Sequence, residues 1–364
     1  MKFSSGTVIL LNVPSRFYVF RKARPEANLN STSKLIMRKI LITGGAGFVG
    51  RRFVARFLES GDEVHCVDSL VPFSGAIAPD AGWFGLDPRD HSSFHFHQMD
   101  CRDYFRKTKD TDFDYSFHLA AIVGGRLVIE NNPLAVADDL SIDSAYWQWA
   151  IRTRPAKTVC FSSSAAYPIK YQSEENYQLL REGMIDFESD IGIPDLSYGW
   201  AKLTVEYLAQ LAYEKNGLNS VCYRPFSGYG EDQDFSYPFP SICKRALDNK
   251  GADSLEVWGT GEQKRDFIHI DDCIDGVLQT MDLIDNAEAL NLSTGVYTSF
   301  IEFASLAAKL CGYEPRVTGV SDKPTGVFAR GGDTTKQEKL GFTYKVNLET
   351  GIKRSLEHYA RVRQ

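Results

Sequence analysis

Several things are missing from this 364-residue chain, and each absence removes a class of protein. No C-x-x-C pair occurs among its seven cysteines, Cys66, Cys101, Cys160, Cys222, Cys243, Cys273 and Cys311. A zinc site or a disulfide framework is therefore disfavoured, and reduced, buried thiols of a cytosolic protein are expected. No apolar run approaches the roughly 18 residues a membrane helix requires, so no membrane partner is expected. There is no excess of positive charge. The net charge is -6 and the isoelectric point about 5.7, which argues against a nucleic-acid partner while leaving room for local basic clusters around an anionic ligand. No internal repeat is visible. What remains is 43% hydrophobic and 24% charged, enough to bury a full core as one large or two coupled domains.

The chain is organised around Lys39–Gly50. A short apolar run, Ile40–Thr43, reads as a buried strand. Gly44, Gly47 and Gly50 follow in G-x-x-G-x-x-G spacing, and an amphipathic helix begins at once. Glycine is needed three times over, for a tight turn, for close approach of the backbone to a pyrophosphate, and for close helix–strand packing. The pyrophosphate would sit against free N–H groups at the helix N-terminus. A second strand, Glu63–Val67, ends in Asp68, where a ribose-binding carboxylate is expected. A carboxylate accepts the 2′-OH of NAD and repels the 2′-phosphate of NADP, so NAD is the expected cofactor.

From Arg38 onward strands and helices alternate. Further strands are expected at Phe94–Met99, Asp114–Leu119, Thr158–Phe161 and Ser220–Tyr223. Long helices are expected at about Pro133–Arg152 and Ser197–Asn216. His95 and His97 alternate with apolar residues and read as the exposed face of a strand, not as metal ligands; no metal is expected. The pattern specifies an α/β fold, a doubly wound parallel sheet with a smaller α/β C-terminal substrate lobe. Residues 1–37 read as a poorly ordered extension, or as sequence upstream of a functional start at Met37. Residues 38–223 form mainly the dinucleotide-binding domain. Residues 224–364 form mainly the substrate lobe, interleaved with the first, with strands at Leu255–Trp258 and Ala289–Leu292 and helices at Asp271–Asp282, Phe300–Cys311 and Leu348–Ala360.

Chemistry is expected just after the strands. Phe161 is followed by Ser162, Ser163 and Ser164, and further on Tyr198 and Lys202 stand at i and i+4 on one helix face. A phenol titrates near 10 and is a poor base at neutral pH. A neighbouring ammonium and an oxidised nicotinamide ring both favour its phenolate. A serine hydroxyl can then hydrogen-bond the reacting sugar oxygen. The three groups make a proton-transfer device beside a hydride acceptor.

In these motifs, with Asp100-Cys101-Arg102-Asp103 and His118-Leu119-Ala120-Ala121, the chain from Arg38 onward resembles the extended short-chain dehydrogenase/reductases that act on nucleotide sugars. The resemblance implies a Rossmann fold with cofactor contacts at Gly44, Gly47, Phe48, Val49, Gly50, Asp68, Asp100, Cys101, Leu119, Ala120, Ala121, Tyr198, Lys202 and Pro225. It implies Ser163 as the catalytic hydroxyl, with Ser164 the fallback. Arg265, in Trp258–Asp272, takes the position that grips a sugar-nucleotide diphosphate, and Arg330 a second such position. Gly124, Ser164 and Ser227 fall on the substrate side. Gly124-Gly125, the Ala166-Tyr167-Pro168 ending and Gly326–Asp333 look most like the GDP-mannose 3,5-epimerase and GDP-fucose synthase branch.

The departures from that branch narrow the reaction. Ala165 stands where the branch carries a cysteine acid/base, and Ser164-Ala165 stand where 4,6-dehydratases carry Asp-Glu. Ser227 stands where relatives usually have asparagine. Inversion at C3 or C5 and dehydration both need the missing groups. C4 inversion of an NDP-hexose through bound NAD does not, and it is the expected activity. An NAD(P)H-dependent 4-keto-sugar reductase, a UDP-uronic acid decarboxylase and a non-catalytic nucleotide-binding protein are the alternatives. The base (GDP or UDP, for example) and the sugar are not fixed by the sequence. The resemblance also implies a homodimer paired through the two long helices, and the reduced thiols imply a cytoplasmic location.

Overall fold

The computed structural model describes residues 37–71, 74–122, 130, 133–320 and 326–362. The extension expected over 1–37 lies, apart from Met37, outside the described residues, as does Gly124.

Strands β1 (Lys39–Thr43), β2 (Glu63–Asp68), β3 (Phe94–Gln98), β4 (Tyr115–His118), β5 (Lys157–Phe161) and β6 (Ser220–Pro225) form one sheet with a seventh strand from later in the chain. The order is 3-2-1-4-5-6 and every pairing is parallel. The strand order reverses between β1 and β4. The carboxyl ends of these two strands therefore open the crevice in which doubly wound sheets bind ligands.

Alternation within β1 shows how the sheet is buried. Ile40 and Ile42 belong to one apolar cluster with Phe53, Phe57 and Phe117, while Leu41 belongs to another with Tyr146, Trp149 and Ala209. Successive side chains of a strand point to opposite faces, so a strand buried on both sides reads as an unbroken apolar run. Helix α1 (Phe48–Glu59) covers the first face, where the Phe53 and Phe117 rings lie 4.8 Å apart. Helices α2 (Cys101–Lys107), α3 (Val136–Thr153) and α4 (Leu196–Asn216) cover the second.

After β6 the chain builds a smaller region. Its elements are β7 (Ser227–Tyr229), α5 (Pro238–Asp248), β8 (Ser254–Trp258), β9 (Lys264–Arg265), β10 (Phe267–His269) and α6 (Ile270–Thr280). The chain then returns as β11 (Asn286–Leu292), which pairs parallel to β6 as the seventh strand of the main sheet. The sequence pattern grouped this strand with the smaller lobe; only long-range pairing shows that it extends the main sheet. The remaining elements are β12 (Thr298–Ser299), α7 (Phe300–Leu310), β13 (Arg316–Val320), β14 (Ala329–Arg330), α8 (Thr335–Lys339) and α9 (Leu348–Val362). A separate core of Tyr229, Phe239, Val257, Phe267, Phe303 and Ile352 holds α5, α7 and α9 together.

Helix α5 was not legible in the sequence, because Pro238 and Pro240 read as breakers. Both fall in its first turn, where a missing N–H breaks no intrahelical bond. Helix α7 is fixed at its start by a reciprocal cap, with Ser299 accepting from Glu302 N and the Glu302 carboxylate accepting from Ser299 N. A buried pair ties α4 to β6: Arg224 donates through Nε and Nη2 to Glu206 at 2.9 and 2.6 Å.

Candidate active site

The carboxyl ends of the strands open into a cavity of about 1080 Å³. Every residue singled out in the sequence for cofactor, catalysis or substrate lines this cavity, except Gly124, which lies outside the described residues.

At one end is the glycine turn. Gly44 has φ +69°, and a Cβ there would lie 2.7 Å from Ala120 N, so only glycine lets β1 turn beneath the end of β4. A Cβ at Gly50 would lie 2.3 Å from Gly44 O. Gly47 is the N-cap of α1. The helix start carries no side-chain cap and no acid in its first turn, so its N–H groups face the cavity ready for an anion. Asp68 ends β2 nearby. Its Oδ2 accepts from Ala46 N at 3.0 Å and its Oδ1 from Leu70 N at 2.9 Å, which fixes the carboxylate against the turn. Burial raises the Asp68 pKa, and the backbone N–H groups of Leu70 and Ala46 and the nearby Arg51 oppose that rise.

Two cations close to this point are already engaged. Arg51 donates to Ala46 O and to Asp232 at 3.0 Å, and Arg52 donates to Asp232 at 2.5 Å. With these guanidiniums held by Asp232 and a carboxylate at Asp68, the pocket suits a free 2′-OH better than a 2′-phosphate. An anion-receptive helix start and the Asp68 carboxylate in one cavity fit NAD. Beyond Asp68, Asp100 caps α2 and is held by Arg102 through Nε at 3.0 Å and Nη2 at 2.6 Å, which lowers its pKa. Burial pushes the neighbouring Cys101 thiol up to about 12, so it stays protonated.

Midway along the cavity are Ser163, Tyr198 and Lys202. Tyr198 and Lys202 rise from the first turns of α4, with the Lys202 ammonium 5.7 Å from the Tyr198 ring centroid. Ser163 Oγ accepts from Ala165 N at 3.1 Å, which leaves its O–H free in direction to donate to a ligand oxygen. Ser162, which sequence reasoning passed over, donates to the Lys202 carbonyl at 3.1 Å and pins the helix to the end of β5.

Behind Lys202 lies a buried polar set that the sequence did not reveal. Thr43 Oγ1 and His118 Nδ1 are 2.8 Å apart, and His118 Nε2 and Asp143 Oδ1 are 3.1 Å apart. Asp139 accepts from Ile122 N at 2.5 Å. Burial lowers the Lys202 pKa, but Tyr198, Asp139 and Asp143 together outweigh it and the net shift is upward. Lys202 is thus held as a cation beside the phenol. Burial raises Asp139 to about 6. The helical spacing of Asp139 and Asp143 was the available signal, but in sequence it reads as a solvated face.

At the far end are cations. Arg265 donates to Lys264 O at 2.8 Å and stands over the Phe300 ring. Two acids close to it in sequence are held by other groups: Asp271 accepts from Arg354 at 2.8 Å, and Asp266 accepts from Ser293, Thr294, Gly295 and Gly332. Arg330 arrives with donors committed, to Gln172 at 2.7 Å and to Asp195 at 2.7 Å. Since Asp195 is the N-cap of α4, Arg330 ties this end of the cavity to the helix bearing Tyr198. Arg245, from α5, was missed in the sequence. It lines the cavity, and its buried Nε has no partner among the described residues.

Parallel strand order, an uncapped glycine turn, an acid at the end of β2 and a Tyr–Lys pair on one helix are shared with the dinucleotide-dependent short-chain dehydrogenase/reductases. The chain belongs to the NAD dependent epimerase/dehydratase family, whose model matches residues 40–293. NAD is the cofactor of that family. The chain is 25% identical over 332 residues to a putative GDP-L-fucose synthase of Arabidopsis thaliana, covering 88% of this chain and 91% of the relative. It is 29% identical over 328 residues to a GDP-mannose 3,5-epimerase of Oryza sativa, covering 86% and 80%. A dTDP-glucose 4,6-dehydratase of Streptomyces venezuelae, solved with NAD bound, shares the fold with a TM-score of 0.76 at 22% identity, over 89% of this chain and 98% of that one.

Proposed function

We propose that the protein is an NAD-dependent nucleotide-sugar epimerase that inverts C4 of an NDP-hexose. The observation that carries this reading is the placing of Ser163, Tyr198 and Lys202 between the glycine turn and an arginine-bearing end of one cavity. When bound, NAD supplies a hydride acceptor that can return what it takes. The chain's own residues handle the proton. Tyr198, as phenolate, removes the proton of the C4 hydroxyl, and Ser163 hydrogen-bonds the same oxygen. Lys202, kept cationic by the acids behind it, holds positive charge beside the phenol while the proton moves. The resulting 4-keto sugar turns over, and Tyr198 returns the proton to the oxygen of the inverted centre.

Arg265, Arg330 and Arg245 at the far end suit the diphosphate of the sugar nucleotide, since guanidinium donors match phosphate oxygens. GDP sugars are the first to assay, because both curated relatives are named for them; UDP sugars follow. Two features favour C4 chemistry over inversion at C3 or C5. Ala165 offers no proton donor, and the Tyr237 phenol, which also lines the cavity, is pushed well above its ordinary value by burial and by Tyr198 and so stays neutral. The cavity-lining Ser227, Ser164 and Pro225 are assigned to the walls around the sugar and nicotinamide. The apolar exposed residues of α3 and α4 support a homodimer.

The test joins cofactor release to turnover. Heat-denatured, freshly purified protein is expected to release stoichiometric NAD, and the native protein to interconvert C4 epimers of a GDP- or UDP-hexose without net NADH formation. Tyr198→Phe is expected to lower that rate by about 10²-fold or more. A variant keeping over a tenth of the rate would remove the phenol from this role. An empty protein that binds NADPH more tightly than NADH would favour the 4-keto-sugar reductase instead.

A further inference from the structure

The sheet carries a second cluster of chemistry-bearing side chains, near its amino-terminal end on β2 and β3. It plays no part in the cofactor cavity, which opens at the carboxyl ends of the strands. Glu63 and His65 share one face of β2, two residues apart, and His95 and His97 share the same face of β3. The register pairs His65 with His95. Glu63 Oε1 lies 2.8 Å from His65 Nε2 and 3.6 Å from His95 Nε2, and one ligand atom from each of the three residues falls within 4.8 Å of the others. On the other side of the His65 ring, Nδ1 is 3.3 Å from His97 Nε2 and 3.8 Å from Asp110 Oδ2.

We propose that Glu63, His65 and His95 bind one divalent transition-metal ion of the zinc class. Zinc–nitrogen and zinc–carboxylate bonds are about 2.0–2.2 Å. Two ligands of a tetrahedral ion then stand roughly 3.4 Å apart, and the two measured separations from Glu63 Oε1 bracket that value. Two imidazoles and a carboxylate form a borderline nitrogen/oxygen set suited to zinc, cobalt or nickel, and not to calcium or magnesium. Three protein ligands leave a fourth position for water, and His95, with its side chain 43% exposed, opens the site to solvent. His65 is largely buried, and its second nitrogen faces His97 and Asp110, the arrangement that orients a ligating imidazole. Lys39 is engaged with Asp110 at 3.2 Å and lies over the Phe113 ring.

An ion here would join two neighbouring strands whose far ends serve the cofactor. β2 ends in Asp68, and Met99, just beyond β3, donates its N–H to Asp68 O at 3.0 Å. The site would therefore brace the adenosine side of the cavity without touching it.

The test uses tag-free, full-length protein stripped with a chelator, titrated with zinc against a chromophoric competitor and, separately, with cobalt while its visible spectrum is read. Wild type is expected to bind one equivalent and to give the intense visible bands of four-coordinate cobalt. His95→Ala and Glu63→Gln are each expected to weaken binding at least about tenfold. His97→Ala is expected to weaken it less than either. His95→Ala has an exposed target and keeps the fold, which circular dichroism and NAD binding would verify. If wild type and the His95→Ala variant bind zinc equally, the proposal is overturned. A larger loss in His97→Ala than in Glu63→Gln would also overturn the ligand assignment.

Discussion

At the scale of single residues, the site turns on charges held out of water. Lys202 is surrounded by Tyr198, Asp139 and Asp143, and the acids are buried with it. Asp139 gives a direct check. Burial raises its folded pKa to about 6, above the ordinary value of 3.8, so between those values the folded state holds a proton that the unfolded state has released. The folded state therefore loses stability as pH rises from about 4 to about 6, and above that carries the full penalty, on the order of 2–3 kcal/mol. Asp139→Asn keeps an acceptor for Ile122 N and removes the titration. In urea denaturation of the NAD-free protein, the variant's stability relative to wild type is expected to improve between pH 4.5 and 7.5. A difference independent of pH would mean that Asp139 titrates normally. Tyr198 and Lys202 were readable from their i, i+4 spacing. The acids were not, because a charged residue in a helix gives no sign in sequence that its face is covered.

At the scale of elements, the glycine turn and helix α4 show two different uses of glycine. Gly50 sits inside α1 with Gly44 O and Gly45 Cα within 2.6 Å of where a Cβ would stand. Those obstacles are backbone, so Gly50→Ala must displace the turn itself. It is expected to cost about 1–3 kcal/mol by overpacking and to weaken NAD binding by more than about tenfold, read by isothermal titration. Gly217 ends α4 at φ +61° with open space around it. Gly217→Ala is expected to cost about 1 kcal/mol in strain and to leave NAD affinity as it is. Equal effects of the two substitutions on NAD affinity would contradict the close-approach account of the turn. Helices with one clear apolar face, such as α6 and α7, were legible from period alone. Helix α5 was hidden by its prolines, and Arg245 was hidden with it.

At the scale of the whole molecule, two helices present exposed apolar side chains. Leu196, Trp200 and Tyr207 on α4 and Leu140 on α3 are exposed, Trp200 to 49%. Leu196, Trp200 and Tyr207 recur at helical spacing and form one stripe. A monomer seldom leaves such a stripe in water, and an isologous two-fold contact between α3–α4 pairs would cover it. Sedimentation equilibrium is expected to give twice the 40.8 kDa chain mass, and Trp200→Arg with Tyr207→Arg to shift the protein to monomer. A wild type that stays monomeric at micromolar concentration would remove the dimer. The same helices carry Tyr198 and Lys202 on α4 and the buried acids on α3, so pairing would also stiffen this wall of the cavity.

The sequence by itself determined what depends on neighbours along the chain. Strand–glycine–helix order, the acid at the end of β2 and the Tyr–Lys spacing are all local, and they fixed a parallel doubly wound sheet that handles NAD. The tertiary structure alone decided what depends on neighbours across it. It placed β11 on the main sheet, engaged Arg51 and Arg52 with Asp232, and committed Arg330 to Asp195 and Gln172. It also brought Glu63 and His65 of one strand against His95 of the next. The physical reason is the same in each case. Backbone conformation is set within a few residues, whereas charge pairing, burial and ligand sets are made between segments that only the folded chain brings within a few ångströms.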